Sequence, residues 1–490
     1  MWPFHRKTRK PSRSLPRREL QARYDAAQTT TENARHWAMA DSSSADAAMT
    51  PDVRQTLRNR ARYEVANNAY AKGMVLTVAG DCVGTGPRLQ LLSEDGETNR
   101  IIEQAFTEWA SAVDLPAKLR TLRMSKSTDG EAFAVLINNP SLDHAVKLDI
   151  RQIEADRVTT PQKRFGTRNI IDGIEFDRFG NPSVYHVMKG HPGDTAYTLG
   201  HFERVPAQAM VHWFRSDRPG QHRGVPEITP ALPLFAQLRR YTLAVLGAAE
   251  TAADFAAVLY TDAPANGEAA SIEPMDVVEL EKRMATTLPD GWKLAQIKAE
   301  QPTTAFVDFR REILAEIGRC LNVPVNVMTG DSSQHNYASG RLDFQNYHKS
   351  LRIEQSHLGR VVMDRIFAAW IKEAALLAAF AVLRAIKTPQ AQYFWDGMDH
   401  VDPAKEANAQ ATRLANNTTT LAYEFARQGK DWEPELRQRA KERKLMKELG
   451  LVSDEPASDK TESDESVRPD ATENETTEEK QKDAKERQAA

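Results

Sequence analysis

At 490 residues the chain exceeds what one hydrophobic core fills, since cores stop growing near ~250 to 300 residues; two or three domains, or one elongated subunit of an assembly, are expected. Hydrophobic content of 41% and charged content of 27% are those of a soluble globular chain, and a formal charge of −3 excludes a global electrostatic bias towards nucleic acid. Only two cysteines occur, Cys82 and Cys320, far apart and outside any metal-type spacing, which excludes a disulfide framework, fits a reducing compartment and predicts two buried thiols.

Residues 1–50 are basic and then rich in Ser, Thr and Ala, so a flexible arm is expected. Its cations, among them Arg6, Lys7, Arg9 and Lys10, either contact nucleic acid or an acidic partner through counterion release, or form a solvated tail. No apolar core follows this basic run, so it does not read as a secretory signal and a cytosolic chain is expected. The Asn-x-Thr triplets at Asn416, Asn417 and Asn474 are then not glycosylation sites.

One helix is expected over 52–80 and another over 101–127, the latter around Ile102, Phe106, Trp109 and Leu122. The glycines of "GDCVGTGPRL", Gly84 and Gly86, fit a helix-to-strand turn rather than a phosphate loop, because the Walker pattern is missing throughout. From 130 to 215 the pattern is short strands, with Gly180 and Asn181 turning a hairpin between "GIEF" and "PSVYHVM". His212, alternating with large apolar residues in "VHWF", reads as a structural histidine, with a metal role a distant alternative.

From Pro226 apolar residues return at helical spacing through Leu232, Phe235, Leu238, Tyr241, Leu246 and Phe255. A mixed segment over 257–301 follows: "AAVLYTD" as a strand, "EPMDVVELEKRMA" as a helix and "WKLAQI" as a returning strand. In the next helix Phe306, Phe309, Ile313, Ile317 and Cys320 share one face, carboxylates and arginines share the others, and Pro324 stops it. One helix of ~70 Å is expected from 339 to about 386, bent near Gly359. It includes "AALLAAFAVL" (374–383) as a buried segment too short to span a bilayer, so no membrane role follows. Residues 451–490, dominated by Glu, Asp, Ser and Thr, cannot offset their ordering entropy by burial and read as a disordered tail.

The stretch "GDSSQHNYASGRLDF" (330–344) places Asp331, Ser333 and His335 close together, which raises the question of a hydrolase. No G-x-S-x-G turn surrounds either serine, and proximity in sequence does not make a triad. A polar loop between two helices is the plainer reading. No H-E-x-x-H or Cys/His array is present, so neither metal nor cofactor is implied.

Four stretches together resemble the lambda-type portal proteins of tailed bacteriophages: "RARYEVANNAYAKGMVLTVAGDCVGTGPRLQ" (60–90), "IEADRVTTP" (153–161), "VHWFRSDRPGQHRGVPEITPAL" (211–232) and "LNVPVNVMTGDSSQHNYASGRLDF" (321–344). Where that family often shows Tyr-Ser-Ser-x-Arg, this chain has Tyr337, Ala338, Ser339, Gly340 and Arg341, and Ser339 is expected to cap the following helix. The resemblance implies an α+β, mainly helical subunit of a cyclic, typically dodecameric ring, without catalytic chemistry. It implies an α/β wing over 51–225, stem helices over 226–256 and 303–322, a clip over 257–302, a tunnel loop over 323–338, a long helix with remaining wing over 339–399, and a crown over 400–450.

On that reading the ring stands at one capsid vertex of the virion after assembly in the host cytoplasm, and passes double-stranded DNA without sequence specificity. Asp331, Ser332, Ser333, Gln334, His335, Asn336 and Tyr337 would meet the DNA. Arg310, Arg311 and Arg319 would face the channel from the stem. Glu279, Glu281, Lys282 and Arg283 of the clip would contact the terminase large subunit and later the head-tail joining proteins. Major capsid and scaffold proteins would be further partners. A minor capsid or head-morphogenesis protein without a pore, and a hydrolase centred on 331–341, are the alternatives.

Overall fold

The structure is a computed structural model and describes residues 31, 34–93, 95–161, 169–194, 201–254, 258–261, 292–295, 304–378, 380, 390–397 and 403–451. They fall into two units dividing after Met398.

The first unit begins with α1 (Ala45–Ala48), α2 (Pro51–Asn67) and α3 (Ala69–Val83). The expected arm is therefore too long: Ser44 caps α1, Ala45 is buried, and Asp46 Oδ2 pairs with His222 Nδ1 at 2.7 Å. The helix expected over 52–80 is two helices, because the Asn68 side chain accepts the amides of Tyr70 and Ala71 and so starts α3 afresh. After α3, Gly84 at φ 57° turns the chain into β1 (Arg88–Leu91). A side chain at Gly84 would collide with Asp396, which accepts from Thr85 N–H and Oγ1 at 2.5 and 2.7 Å.

The helix expected over 101–127 is likewise split, into α4 (Gly96–Ala112) and α5 (Leu115–Asp129). Asp114, left-handed at φ 50°, and Pro116 in the first turn of α5 reset the direction between them. The β-rich segment follows: β2 (Glu131–Asn138), β3 (Leu148–Ile153), β4 (Ile170–Ile171), β5 (Ile174–Phe176), β6 (Pro182–Met188), β7 (Phe202–Pro206) and β8 (Met210–Phe214). Strands β3, β2 and β8 form one antiparallel sheet, and β4 to β7 form another in sequence order. The expected hairpin turn joins β5 to β6, with Gly180 at φ 83° and Asp177 accepting the amides of Phe179 and Asn181.

Strand β2 is buried on both faces, and its period of two divides the core. Ala132 and Ala134 join the main helical core, whereas Phe133 and Val135 join Ile174, Tyr185, Val187 and Met210 between the two sheets. Aromatic rings centre the main core: Phe106 lies 5.3 Å from both Trp109 and Trp370, and Trp109 Nε1 donates to the Leu148 carbonyl at 2.8 Å.

Helix α6 (Leu232–Asp254) leads to β9 (Val258–Thr261), which pairs antiparallel with β10 (Trp292–Ala295), as the alternating segments predicted. The helix expected between these strands lies outside the described residues. Then α7 (Thr304–Arg319) and α8 (Val325–Thr329) follow. Helix α7 ends before Pro324 acts: Asn322 is left-handed at φ 56°, and the Val323 amide reaches back to the Gly318 carbonyl at 2.9 Å.

Helix α9 (Tyr337–Leu358) continues through a π-helical turn, Gly359–Met363, into α10 (Asp364–Ala374), so the irregularity falls at the glycine. The helical run is about 56 Å long rather than ~70 Å. Beyond Ala374 amides bond three residues back, Leu376 to Glu373 and Leu377 to Ala374, and Leu376 is 76% exposed. "AALLAAFAVL" is thus not a continuing buried helix over its described residues; 379 and 381–383 lie outside them. Strand β11 (Ala391–Phe394) pairs with β1. The second unit holds α11 (Pro403–Ala415), α12 (Leu421–Arg427) and α13 (Trp432–Glu448), with Arg413 bridging Glu406 and Glu424. No helix among the described residues is long and apolar enough to cross a membrane.

Candidate functional site

The loop that invited the nucleophile question joins α8 to α9. Gly330, left-handed at φ 68°, ends α8. Thr329 Oγ1 then accepts the Asp331 amide at 3.3 Å, and Asp331 Oδ1 accepts the Ser333 amide at 2.9 Å. That backbone bond holds the exposed Asp331 carboxyl below its ordinary range. Asn336 Oδ1 accepts the Ser339 amide at 2.8 Å while Ser339 Oγ accepts the Asn336 amide at 3.1 Å, a reciprocal capping box. The helix start expected at Ser339 is therefore corrected: Asn336 is the cap, Tyr337 is the first helical residue, and Ser339 lies in the first turn.

This geometry does not assemble a triad. His335 points its Nε2 towards Asp343 Oδ2 at 3.5 Å, and its buried Nδ1 has no hydrogen-bond partner among the described residues. Neither serine hydroxyl is bonded to His335 among those residues, and Asp331 is engaged with backbone. Ser332, Ser333, Gln334, Asn336 and Tyr337 are exposed, which presents a short polar surface rather than an enclosed pocket.

Beside the loop, α6 and α7 form an antiparallel pair. At the inner end, Leu232, Phe235 and Leu238 of α6 and Leu314 and Ile317 of α7 belong to the main core. Further out, Tyr241 meets Phe306 and Phe309 with centroids 5.6 and 4.9 Å apart. The apolar residues of this outer part are only partly buried: Leu246 and Phe309 of the expected apolar faces, and Leu243 and Val307 beside them, are each about half exposed or more. Arg310 lies over the Phe306 ring at 5.7 Å and Arg311 faces the charge of Asp331; both are half-buried, while Arg319 is exposed. Asp308, Glu312 and Glu316, spaced four apart, are exposed, so the open face of α7 is acidic over most of its length. The clip residues Glu279, Glu281, Lys282 and Arg283 lie outside the described residues.

Two buried ionic clusters fix the roots of these helices. In one, Arg123 Nη1 donates to Glu227 Oε2 at 2.8 Å, and Lys126 pairs with Glu227 at 3.2 Å and with Glu354 of α9. Burial alone would raise the Glu227 carboxyl, but Arg123 and Lys126 outweigh it and hold it at about 2. Glu227 lies just before α6, so this cluster ties α5, α6 and α9 together. In the other, the fully buried Glu131 accepts from Arg223 Nη2 at 2.7 Å, from the Gly224 amide at 3.0 Å, from His212 Nε2 at 3.0 Å and from Arg58. His212, stacked on Phe133 and Phe214, is lowered by burial despite its bond to Glu131, as a structural histidine should be. Glu154, Asp156 and His191 have metal-type proximity, but Asp156 already takes the Arg62 guanidinium at 2.5 Å, so an ion-pair role accounts for them. Sequence reading missed both clusters because their members lie scores of residues apart.

Comparison with known proteins supplies the family. The model of the phage portal protein, lambda family, matches residues 30–355. A probable portal protein of Halomonas phage phiHAP-1 is 24% identical over 436 residues, covering 81% of this chain and 82% of its own length. Portal protein B of Escherichia phage lambda is 20% identical over 477 residues, covering 84% and 87%. Among solved structures, a chain from the neck of a native GTA particle computed with C12 symmetry aligns with TM-score 0.46 at 12% identity, over 82% of this chain and 99% of that one.

Proposed function

Because the chain belongs to the lambda family of phage portal proteins, we propose that it closes into a cyclic homo-oligomer, dodecameric as is typical of the family, around a channel for double-stranded DNA. The family is a structural one, and in this reading the chain performs no catalysis; the terminase large subunit supplies the motor. The ring occupies one capsid vertex of the virion, having assembled in the host cytoplasm beside major capsid and scaffold proteins. The wing is 51–225, the stem α6 and α7, the clip 257–302, and the crown α11 to α13. The clip, with Glu279, Glu281, Lys282 and Arg283, docks terminase and then the head-tail joining proteins.

The family match over 30–355 carries this reading, and the surface of the stem supports it. Identical subunits meeting head to tail close into a ring and cover complementary faces. Leu243, Leu246, Val307 and Phe309, left open in one chain, suit that burial. A channel lined by many cations would hold the duplex through counterion release, so translocation favours a surface that repels phosphate. Asp308, Glu312 and Glu316 provide such a surface, with Arg319 as an isolated cation at the end of α7 and with Arg310 and Arg311 half-buried behind it. Asp331 to Tyr337 of the tunnel loop 323–338 meet the moving DNA with neutral and acidic groups, and the capping box of Asn336 with Ser339 anchors the loop to α9.

Deleting 331–336 tests the loop's part. Rings should assemble normally, while packaged DNA per particle or its retention falls by at least about tenfold. Normal packaging together with normal retention would refute DNA contact by the loop.

A further inference from the structure

We propose that the second half of α13 is a sequence-independent binding surface for the phosphate backbone of duplex DNA, separate from loop 330–336. The proposal rests on the portal reading only for bringing DNA to this chain. Its basis is the distribution of charge on α13. From Arg437 to Glu448 the helix carries six cations, Arg437, Arg439, Lys441, Arg443, Lys444 and Lys447, against Glu442 and Glu448. Every residue from Arg437 to Glu448 is exposed. With 3.6 residues per turn, Arg437, Lys441 and Lys444 form one ridge, which Glu448 joins, and Arg439, Arg443 and Lys447 form a second about a third of a turn round the helix. The exposed Leu445, Met446 and Leu449 occupy the opposite arc.

Four of these six cations are unspent among the described residues. Arg437 pairs with Glu433 at 2.7 Å, and Glu442 takes a hydrogen bond from Gln438 at 2.9 Å. Arg439, Lys441, Arg443 and Lys444 make no ion pair among the described residues. A helix surface of this kind needs a polyanion. The two ridges run about 15 Å, a length over which one strand of B-form DNA presents four or five phosphates at ~3.4 Å each. Long, adaptable side chains without interleaved aromatic rings neutralise phosphates but read no bases, so binding is indifferent to sequence. The other polyanion at hand is the chain itself: residues 452–490 carry thirteen carboxylates against six cations. We commit to DNA because its charge density of one per ~1.7 Å exceeds that of the tail, whose carboxylates are diluted by neutral residues and interrupted by cations.

The test compares the full chain with the fourfold variant R439Q/K441Q/R443Q/K444Q, using a fluorescent random-sequence duplex titrated at several salt concentrations. Glutamine is a good helix former and all four positions are exposed, so circular dichroism should be unchanged. The expected result is at least tenfold weaker binding near 0.1 M salt and a log–log salt slope shallower by about 3 or more. Equal affinity and slope would overturn the site. So would carboxyl–amine crosslinks from Lys441 or Lys444 to 452–490 that saturating duplex does not displace, since the tail would then own the surface. Electron micrographs of the same samples separate the two readings: intact rings with unchanged DNA binding refute this site alone, whereas DNA binding lost in the variant of a chain that never forms rings refutes the channel and leaves the site standing.

Discussion

Replacing Glu131 by alanine strips the buried carboxylate on which α2, β8 and the segment leading to α6 converge. Glu131 has no exposed surface, and Arg58 and Arg223 beside it are almost as buried. Its removal leaves both guanidinium groups short of counter-charge and the Gly224 amide without its acceptor. Arg223 retains Asp172 at 2.9 Å and the Val158 carbonyl at 3.0 Å, which limits the damage on that side. Breaking a buried ion pair from one side costs about 3–5 kcal/mol, and the Gln replacement, which keeps the shape but not the charge, should cost about 1.5–3 kcal/mol. Hydrogen exchange reads the loss locally: amides of β2 and β8 and the Arg223–Glu227 segment should exchange faster by about two to three and a half orders of magnitude in Glu131→Ala, as ~3–5 kcal/mol of local stability requires. Protection within tenfold of the parent chain in both strands would refute the view that this cluster holds the base of α6.

Other consequences are as direct. Asn336→Ala should cost about 1 kcal/mol of α9 N-terminal stability, and Ser339→Ala a similar amount because the box is reciprocal; exchange of the Tyr337–Ser339 amides checks both, and insensitivity to Asn336→Ala would restore Ser339 as the cap. Glu227 is depressed to about 2 in the fold, so its contribution is complete above its ordinary value of 4.5 and is lost as pH falls from there through about 2. His212 is also depressed, so the unfolded chain takes its proton first and stability declines as pH falls below 6.5. Urea midpoints measured from pH 7 to pH 2 should fall in both windows, and Glu227→Gln should flatten the lower one while leaving the upper. Trp370→Ala should cost about 3–5 kcal/mol, because a fully buried indole packed on Phe106 and Phe367 leaves a cavity; a urea midpoint close to that of the parent chain would show that the aromatic core is not where stability resides.

Local rules located the elements and failed at their joints. The hairpin at Gly180 and the glycine turn after α3 were legible because each depends on neighbours a few residues away, and β9 and β10 because each strand carries its own apolar run, although Thr261 pairs with the distant Trp292. The breaks at Asn68 and Asp114 were not, because apolar periodicity runs on through both while one cap and one left-handed residue redirect the chain. Pro324 looked like the stop for α7, yet the left-handed Asn322 had already ended it. At the loop, the residue types and the helix boundary were readable to within two residues, but the cap is Asn336, and Ser339, expected to cap, answers it from the first turn in a reciprocal box. The ionic clusters left no local trace: Arg58 meets Glu131 across 73 residues and Lys126 meets Glu354 across 228. Exposure on α7 reversed an emphasis, since the sequence drew attention to its arginines while the fold opens its carboxylates to solvent.

The central claim is a closed ring with an axial opening, and mass measurement combined with electron microscopy of the purified full-length chain tests it most directly. Twelve copies of the 54.9 kDa chain should give particles of about 660 kDa with one central channel. A stable monomer, or an assembly without an opening along its axis, would contradict it.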